Sequence, residues 1–503
     1  MGMLDIFRRK PKPVAKKRGF DGAATGRLFS DFVTSQRSAD SELRYSLKTL
    51  RNRCRELARN NEYARRYLHL VKTNVVGERG ASLQVKATNV DGSLDTIGNT
   101  IIEQEWKRWS KVGSCTVDGR LSFADAQAMV VESIARDGEA LVRIVNYDGN
   151  QDRFALEFLE PDLIDEEKNE RAPNGNEIRM GVEFDQYRRP VAYHMLTEHP
   201  GDYQFHQYDR RTQRVDAESI LHLYMPDRAQ QTRGVPWMST ALTSLKMLHG
   251  YREAELVAAR TAASKMGFFV SRSGEGFMGD DLEDSVIPIT DAEPGSFFQL
   301  PRDVEFQPWD PSHPTSAFGD FEKSILRGIA SGLGVSYHSL ANDLTQTSYS
   351  SIRQGSIEDR DFYKMIQSYM ITHFVMPIYE KWLINAFTIG SVNLPIDKFD
   401  KFASASQFRP RGFAWVDPQR EINAHVVALQ NGLISLQDVA NVYGRDVEEV
   451  FAQVARDKQL ADQFGLKLAF EPFGGGQSPY GPGKINILTG ESFDEMTEDS
   501  DGD

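Results

Sequence analysis

Residues 326–355 read LRGIASGLGVSYHSLANDLTQTSYSSIRQG, and this run decides how the chain divides. It is the end of one helix, a polar loop and the start of another helix. Ile325, Ile329 and Leu333 recur at helical spacing, and Gly332 and Gly334 supply the stop. Residues 342–349 are almost without apolar content and rich in types that prefer turns, because their short side chains compete for backbone hydrogen bonds. Ser348 or Ser350 offers a cap for a helix that begins near Ile352. A polar loop between two helices, deep inside a long chain, calls for a functional account.

Upstream of this run, Pro236 opens an element that only Gly250 interrupts before Gly267 closes it. At 1.5 Å per residue, roughly 30 residues make a rod of about 45 Å. Ala254, Ala258, Ala259, Ala262 and Ala263 leave one flank thin, while Arg252, Glu253, Glu255, Arg260 and Lys265 decorate the rest. Such a rod makes a poor monomer core helix and suits side-by-side packing. Residues 268–314 leave helix altogether, with the short strands FFV, VIPIT, FFQL and VEFQP around Glu293-Pro294-Gly295 and the acidic patch 280–284. Helix resumes from Ala317. The spacing therefore gives helix, β-insert, helix.

Toward the N-terminus, residues 41–77 read as two helices broken at Asn60 and Asn61, and Ile97, Ile101, Glu105 and Trp109 place a third. Ser122 and Asp125 form a capping box that opens a fourth. From Glu139 to Met225 the pattern changes to short strands: ALVRIV, FALEFLE, IRMGVEF, PVAYHML and SILHLYM. Beyond the polar loop, Ile352, Phe362, Ile366, Tyr369 and Phe374 continue a helix that Pro377 must kink or end near Met376. Residues 431–455 read as a helical hairpin with caps at Ser435/Asp438 and Asp446/Glu449. Residues 8–18 form a basic, Pro-interrupted tail, and 491–503 an acidic one that reads as disordered.

Several of these runs carry a resemblance. LRGIASGLGVSYHSLANDL with SYSSIRQG, RNRCRELARNNEYARRYLHLVKTNVVG from Arg51, ARDGEALVRI from Ala135 and LEFLEPDLID from Leu156 closely resemble the lambda-like portal proteins of tailed bacteriophages. So do RVDAESILHLYMPDRAQQTRGVP from Arg214 and WVDPQREINAHVVALQNGLISLQDVANVYGRDVEEV from Trp415. No single run is diagnostic; their order and spacing over roughly residues 19–468 are specific.

The resemblance implies an α+β portal-type fold in a cyclic ring, dodecameric in virions, at one capsid vertex. Its expected parts are a basic tail (1–19), an α+β wing (20–235), a first stem helix (236–267), a β-containing clip (268–316) and a second stem helix (317–340). A tunnel loop (341–350), further wing helices with a return strand (351–415), a helical crown (416–470) and the acidic tail (471–503) complete it. Asn342, Leu344, Thr345, Gln346, Thr347 and Ser348 are then expected to touch DNA, and Ala254, Ala258, Ala259, Ala262 and Ala263 to touch the neighbouring subunit. Asp280, Asp281, Glu283, Asp284 and Glu293 would face a terminase. The implied partners are further copies of the chain, double-stranded DNA without sequence preference, the terminase large subunit, capsid or scaffold protein, and neck or head-completion proteins. The implied location is the virion, after assembly in the host cytoplasm.

Composition agrees with a passage better than with a clamp. The formal net charge is −13. A simple nucleic-acid binder carries a basic excess, and every phosphate a conduit neutralises adds binding free energy that movement must overcome. With 503 residues the prior is about three domains. The two cysteines form neither a disulfide framework nor a metal pattern, and point to a reducing compartment. The N-terminus lacks a signal-peptide core, and no stretch approaches the roughly 20 apolar residues of a membrane span.

Enzyme chemistry is not legible. Gly483-Lys484 echoes a phosphate loop, but Ser478 stands where its first glycine belongs and Ile485 where Ser or Thr belongs. No nucleophile elbow and no His-Glu-x-x-His run occurs. His249 and Glu253 lack a third ligand, and His194, His199 and His206 have no carboxylate at useful spacing. Residues 433–454 mimic a helix-turn-helix, but acidic residues at the start of the second helix oppose DNA reading. The reading is therefore a structural protein without catalytic residues, metal or cofactor. The alternatives are a cytoplasmic enzyme acting on nucleic acid, with the β-rich region as its catalytic part, and a different structural ring of the phage neck.

Overall fold

The structure, a computed structural model, describes residues 27, 30–202, 211–263, 267–271, 304–308, 318–345, 348–413, 418–443 and 445–466. It opens with helices α1 (Ala39–Leu43), α2 (Leu47–Asn60) and α3 (Glu62–Val75). Asn61 separates the last two because its side chain accepts from the amides of Tyr63 and Ala64, at 3.1 and 3.0 Å. Strand β1 (Ser82–Val85) leads to α4 (Thr96–Trp109) and α5 (Phe123–Asp137). The Ser122/Asp125 capping box is formed reciprocally, and Gly138 closes α5 with φ +91°.

Two antiparallel sheets follow. Strands β2 (Ala140–Val145), β3 (Ala155–Leu159), β4 (Glu170–Arg171), β5 (Glu177–Arg179), β6 (Val182–Phe184), β7 (Pro190–Leu196), β8 (Thr212–Asp216) and β9 (Ile220–Leu223) sort into the orders β3-β2-β9 and β4-β5-β6-β7-β8. The expected IRMGVEF strand is in fact two, because Met180 and Gly181 both take positive φ and turn the chain. Strands β4 and β8 escaped the reading: the first has two residues, and the second reads polar outward in four of its five positions.

Residues 237–241 form a single tight turn before α6 (Leu242–Ala263), so the rod starts later than Pro236 suggests. Strand β10 (Gly267–Ser271) pairs antiparallel with β11 (Val304–Pro308), in a register that sets Phe269 opposite Phe306. Helix α7 (Phe318–Leu333) packs back on α6: Tyr251 lies 5.7 Å from Phe318, while Thr240 donates to the carbonyl of Gly332 at 2.9 Å. Those contacts pair the far end of one helix with the near end of the other, so the two run antiparallel.

After α8 (Tyr337–Ala341) comes α9 (Tyr349–Met370), then five residues of wider π-type turn (371–375) and α10 (Met376–Ile389). The boundary expected near Met376 is present: α9 stops at Met370, and a new α-helix begins at Met376. The π-turn lets the Met376 amide reach the carbonyl of Ile371 and takes up the bulge ahead of Pro377, which sits in the first turn of α10 where no amide is needed. Helix α11 (Phe399–Ser404) precedes β12 (Ser406–Arg409), which pairs with β1 across more than 300 residues of chain. Helices α12 (Pro418–Gln430), α13 (Leu436–Val442) and α14 (Val447–Gln463) end the described chain.

One large core joins these pieces. Trp106 stacks edge-on against Trp382, Tyr379 and Phe408 at 5.1–5.7 Å, so α4, α10 and β12 share one aromatic centre. Trp109 and Trp382 are fully buried there. A second, smaller core of Ile164, Val182, Tyr193, Met195 and Val215 lies beneath the five-stranded sheet.

Candidate functional site

The polar loop is short and held from both sides. Gly334 (φ +70°) ends α7, and Ser336 caps α8 through the Ser339 amide. Asp359 of α9 then accepts from the Ser336 amide at 2.7 Å and from the hydroxyls of Ser336 and Ser339 at 2.8 and 2.7 Å. Asn342 terminates α8 in the left-handed region, φ +53°, where Asn is among the few tolerated side chains. On the far side Ser348 caps α9 by accepting from the Ser351 amide at 3.2 Å, three residues earlier than the expected start near Ile352.

Asp343 organises what lies between. Its carboxylate accepts from the Thr345 hydroxyl at 2.5 Å, the Thr345 amide at 2.9 Å and the Tyr337 hydroxyl at 2.8 Å. The Thr345 hydroxyl, its amide and Tyr337 hold this carboxyl well below the usual range, so it stays ionised. Lys323 lies 3.7 Å away. The neutral residues around Asp343 stand out in the sequence and Asp343 does not; the Asp-x-Thr spacing of a local side-chain turn is the signal that marks it. Leu344, at 62% exposure, stands at the tip, and Asn342, Thr345 and Ser348 are exposed. Gln346 and Thr347 lie outside the described residues.

Helices α6 and α7 are clamped to α3. Arg252 pairs with Glu62 and lies 3.2 Å from Glu322, over the face of Tyr63, whose hydroxyl donates to Glu322 at 3.3 Å. The outer flanks of α6 are uncovered: Met247, Leu256 and Val257 are 70%, 66% and 55% exposed, on more than one side of the helix. Ala254 is exposed, and Ala258 and Ala259 are half-buried. The side chains of Ala262 and Ala263 fall outside the description, as do Asp280, Asp281, Glu283, Asp284 and Glu293.

At the root of α6 sits a buried ion network. Glu139 is fully buried and accepts from Arg51 at 2.8 Å, from Arg233 at 2.5–3.0 Å, from the Gly234 amide at 3.1 Å, and lies 2.8 Å from His222 Nε2. Burial pushes its carboxyl up, but Arg233, His222 and Arg51 outweigh this and hold it well below the carboxylate range. Burial likewise pushes His222 down, toward the neutral ring. Arg233 also donates to the carbonyls of Met180 and Pro161, so the guanidinium joins both sheets to the segment that enters α6.

The histidines correct another expectation. His194 lies 3.3 Å from Glu183, brought there by the β6–β7 hairpin, and His199 lies 3.1 Å from Glu160. His206 is outside the described residues. Among the described residues Glu160, Asp162 and His199 come within 4.8 Å of one another, but Asp162 already accepts from Arg51 and Arg55 at 3.2 and 2.6 Å. His249 is exposed on α6. In the second helix of the mimic the expected Asp446 cap forms, and the same carboxylate is used inside the fold. Asp446 caps α14 through the Glu448 amide at 2.8 Å, and its carboxylate turns inward to Lys86 and to Arg409, 2.6 Å away.

Among the described residues no helix is long and apolar enough to cross a membrane.

The profile of the phage portal protein, lambda family, matches residues 25–367. A probable portal protein of Halomonas phage phiHAP-1 is 34% identical over 96% of this chain and 92% of its own length. Portal protein B of Escherichia phage lambda is 23% identical over 89% of this chain and 90% of its own. A solved structure, the neck of the native GTA particle computed with C12 symmetry, shares 13% identity over 80% of this chain and 94% of that one, with a TM-score of 0.41. Portal proteins are structural components of the phage particle and not enzymes. By the length of the profile match and the identity to the phiHAP-1 relative, this chain belongs to the lambda family of phage portal proteins.

Proposed function

We propose that the chain forms a closed ring, a dodecamer by family resemblance, through which double-stranded DNA enters the head and later leaves it. A separate terminase drives entry, because the sequence carries no phosphate-binding loop of its own. The observation that carries this reading is the pair of uncovered apolar flanks on α6. An antiparallel helix pair with Met247, Leu256 and Val257 in solvent is unfavourable in a lone subunit, at about 25 cal/mol for each Å² of apolar surface left in water. A repeated head-to-tail contact covers two different flanks at once and closes into a ring.

In that ring, residues 342–348 form the tunnel loop. Asn342, Leu344, Thr345, Gln346, Thr347 and Ser348 offer no cation, so contacts with passing DNA are weak and blind to sequence. The β-insert faces the terminase and later the neck proteins, α12–α14 face the head interior, and the wing meets capsid or scaffold protein as the head is nucleated. The location is the portal vertex of the virion, reached from the host cytoplasm. Deleting Thr345 to Thr347 tests the loop: rings still assemble, while DNA packaging or retention fails. Normal packaging and retention in such a variant removes the loop from the account.

A further inference from the structure

A basic run of this acidic chain lies on α2 and α3. Between Lys48 and Lys72 there are eight Lys or Arg residues against two Glu. Only part of that charge is used within the fold. Arg55 pairs with Asp137 and Asp162 at 2.8 and 2.6 Å and Lys72 with Glu132 at 2.8 Å, while Arg136 of the facing α5 pairs with Asp137 at 2.7 Å. Arg59, Arg65 and His69 are exposed and, among the described residues, have no side-chain partner. These groups line one groove of about 610 Å³ that runs between α2, α3 and α5, with Ala58 and Leu68 in its wall.

Its walls also carry Glu132 and Glu160. Two fixed carboxylates repel a continuous row of phosphates, whereas an acidic peptide can set its own carboxylates between them and turn apolar side chains to Ala58 and Leu68. The chain contains such a peptide. Residues 491–503, ESFDEMTEDSDGD, hold seven acidic side chains, no cation, and the apolar Phe493 and Met496. From Leu466, the last described residue, 25 residues lead to Glu491, a span of up to about 80 Å when extended.

We propose that this groove is the docking site of the chain's own acidic segment 491–503, in the same copy or a neighbouring one. Arg59 and Arg65 hold its carboxylates at the rim, and Phe493 or Met496 rests on the apolar wall. Exposed pairs of this kind are weak singly and gain by number, and salt screens them.

The test is zero-length carbodiimide cross-linking of the full chain carrying Arg59→Lys, with the joined peptides identified by mass spectrometry. The expected result is cross-links from position 59 and from Lys72 to carboxylates in 491–503. They should fall at least tenfold with Asp494→Asn, Glu495→Gln, Glu498→Gln and Asp499→Asn together. Cross-links confined to carboxylates elsewhere overturn the proposal. A labelled DNA duplex of about 30 base pairs is the second probe. Tight binding that Arg59→Glu with Arg65→Glu abolishes assigns the groove to phosphate and overturns it too. Both arginines are exposed, so an unchanged unfolding midpoint shows that the variants fold.

Discussion

Glu139 and Arg233, 94 residues apart in the chain, share three contacts of 2.5–3.0 Å with neither side chain exposed to solvent. Two glycines make the approach possible. A Cβ on Gly234 would lie 2.0 Å from the carbonyl oxygen of Gly138, and one on Gly138 would lie 2.5 Å from the Val235 carbonyl carbon. The end of α5 thus abuts the segment that enters α6, and the ion pair locks the two.

Glu139→Gln removes the charge that two buried arginines face. The expected loss is about 3–5 kcal/mol, since breaking one side of a buried pair leaves an uncompensated charge. Urea unfolding checks it. Asp361→Asn, which breaks an exposed pair with Lys364, is the control and should cost under about 1 kcal/mol.

Gly138→Ala should be as severe by another route. The residue sits at φ +91°, costing about 1–2 kcal/mol for a side chain, and the overlap with Val235 and Pro236 adds to that. A lowered thermal midpoint with a displaced α6 is expected; an unchanged midpoint contradicts the packing described.

Acid should loosen the same junction in two steps. His222 binds a proton less readily folded than unfolded, so stability falls as pH drops through its ordinary value of 6.5. The depressed Glu139 contributes stability that is present above its ordinary 4.5 and is lost as pH falls below that toward its folded value. Both signs agree. His222→Gln should shrink the upper step in a plot of unfolding free energy against pH, the remainder coming from His194, which burial also pushes down, and should leave the lower one.

Asp446→Asn tests the attachment of α13 and α14 to the β1–β12 ribbon. The carboxylate is covered and pairs with Lys86 and Arg409. Losing it should cost about 1.5–3 kcal/mol, the usual range for hydrogen bonds to a charged group, and expose the 445–466 segment to limited proteolysis.

Some of this was legible in the sequence because it is local. The Ser122/Asp125 and Ser435/Asp438 boxes each span three residues, and the structure forms both reciprocally. Helix periodicity placed α2 to α5 for the same reason. What escaped was set by pairing across the chain. Glu183 meets His194 only through the hairpin register of β6 and β7, and β1 is a strand only because β12 lies beside it. Pro377 marked the boundary at Met376, but the π-turn ahead of it depends on hydrogen-bond spacing that the sequence does not display. In the loop the neutral residues stood out and Asp343 did not, although Asp343 fixes their geometry.

The central claim is the ring, and α6 is where to strike it. Leu256→Glu alters a side chain that is 66% exposed in one subunit, and Ala259→Lys a half-buried one beside it, so the monomer should fold while assembly suffers. Negative-stain electron microscopy of the purified chain, with mass determination in parallel, should give rings with a central hole for the native chain and far fewer for either variant. A compact small oligomer without a channel, native and variant alike, would contradict the account.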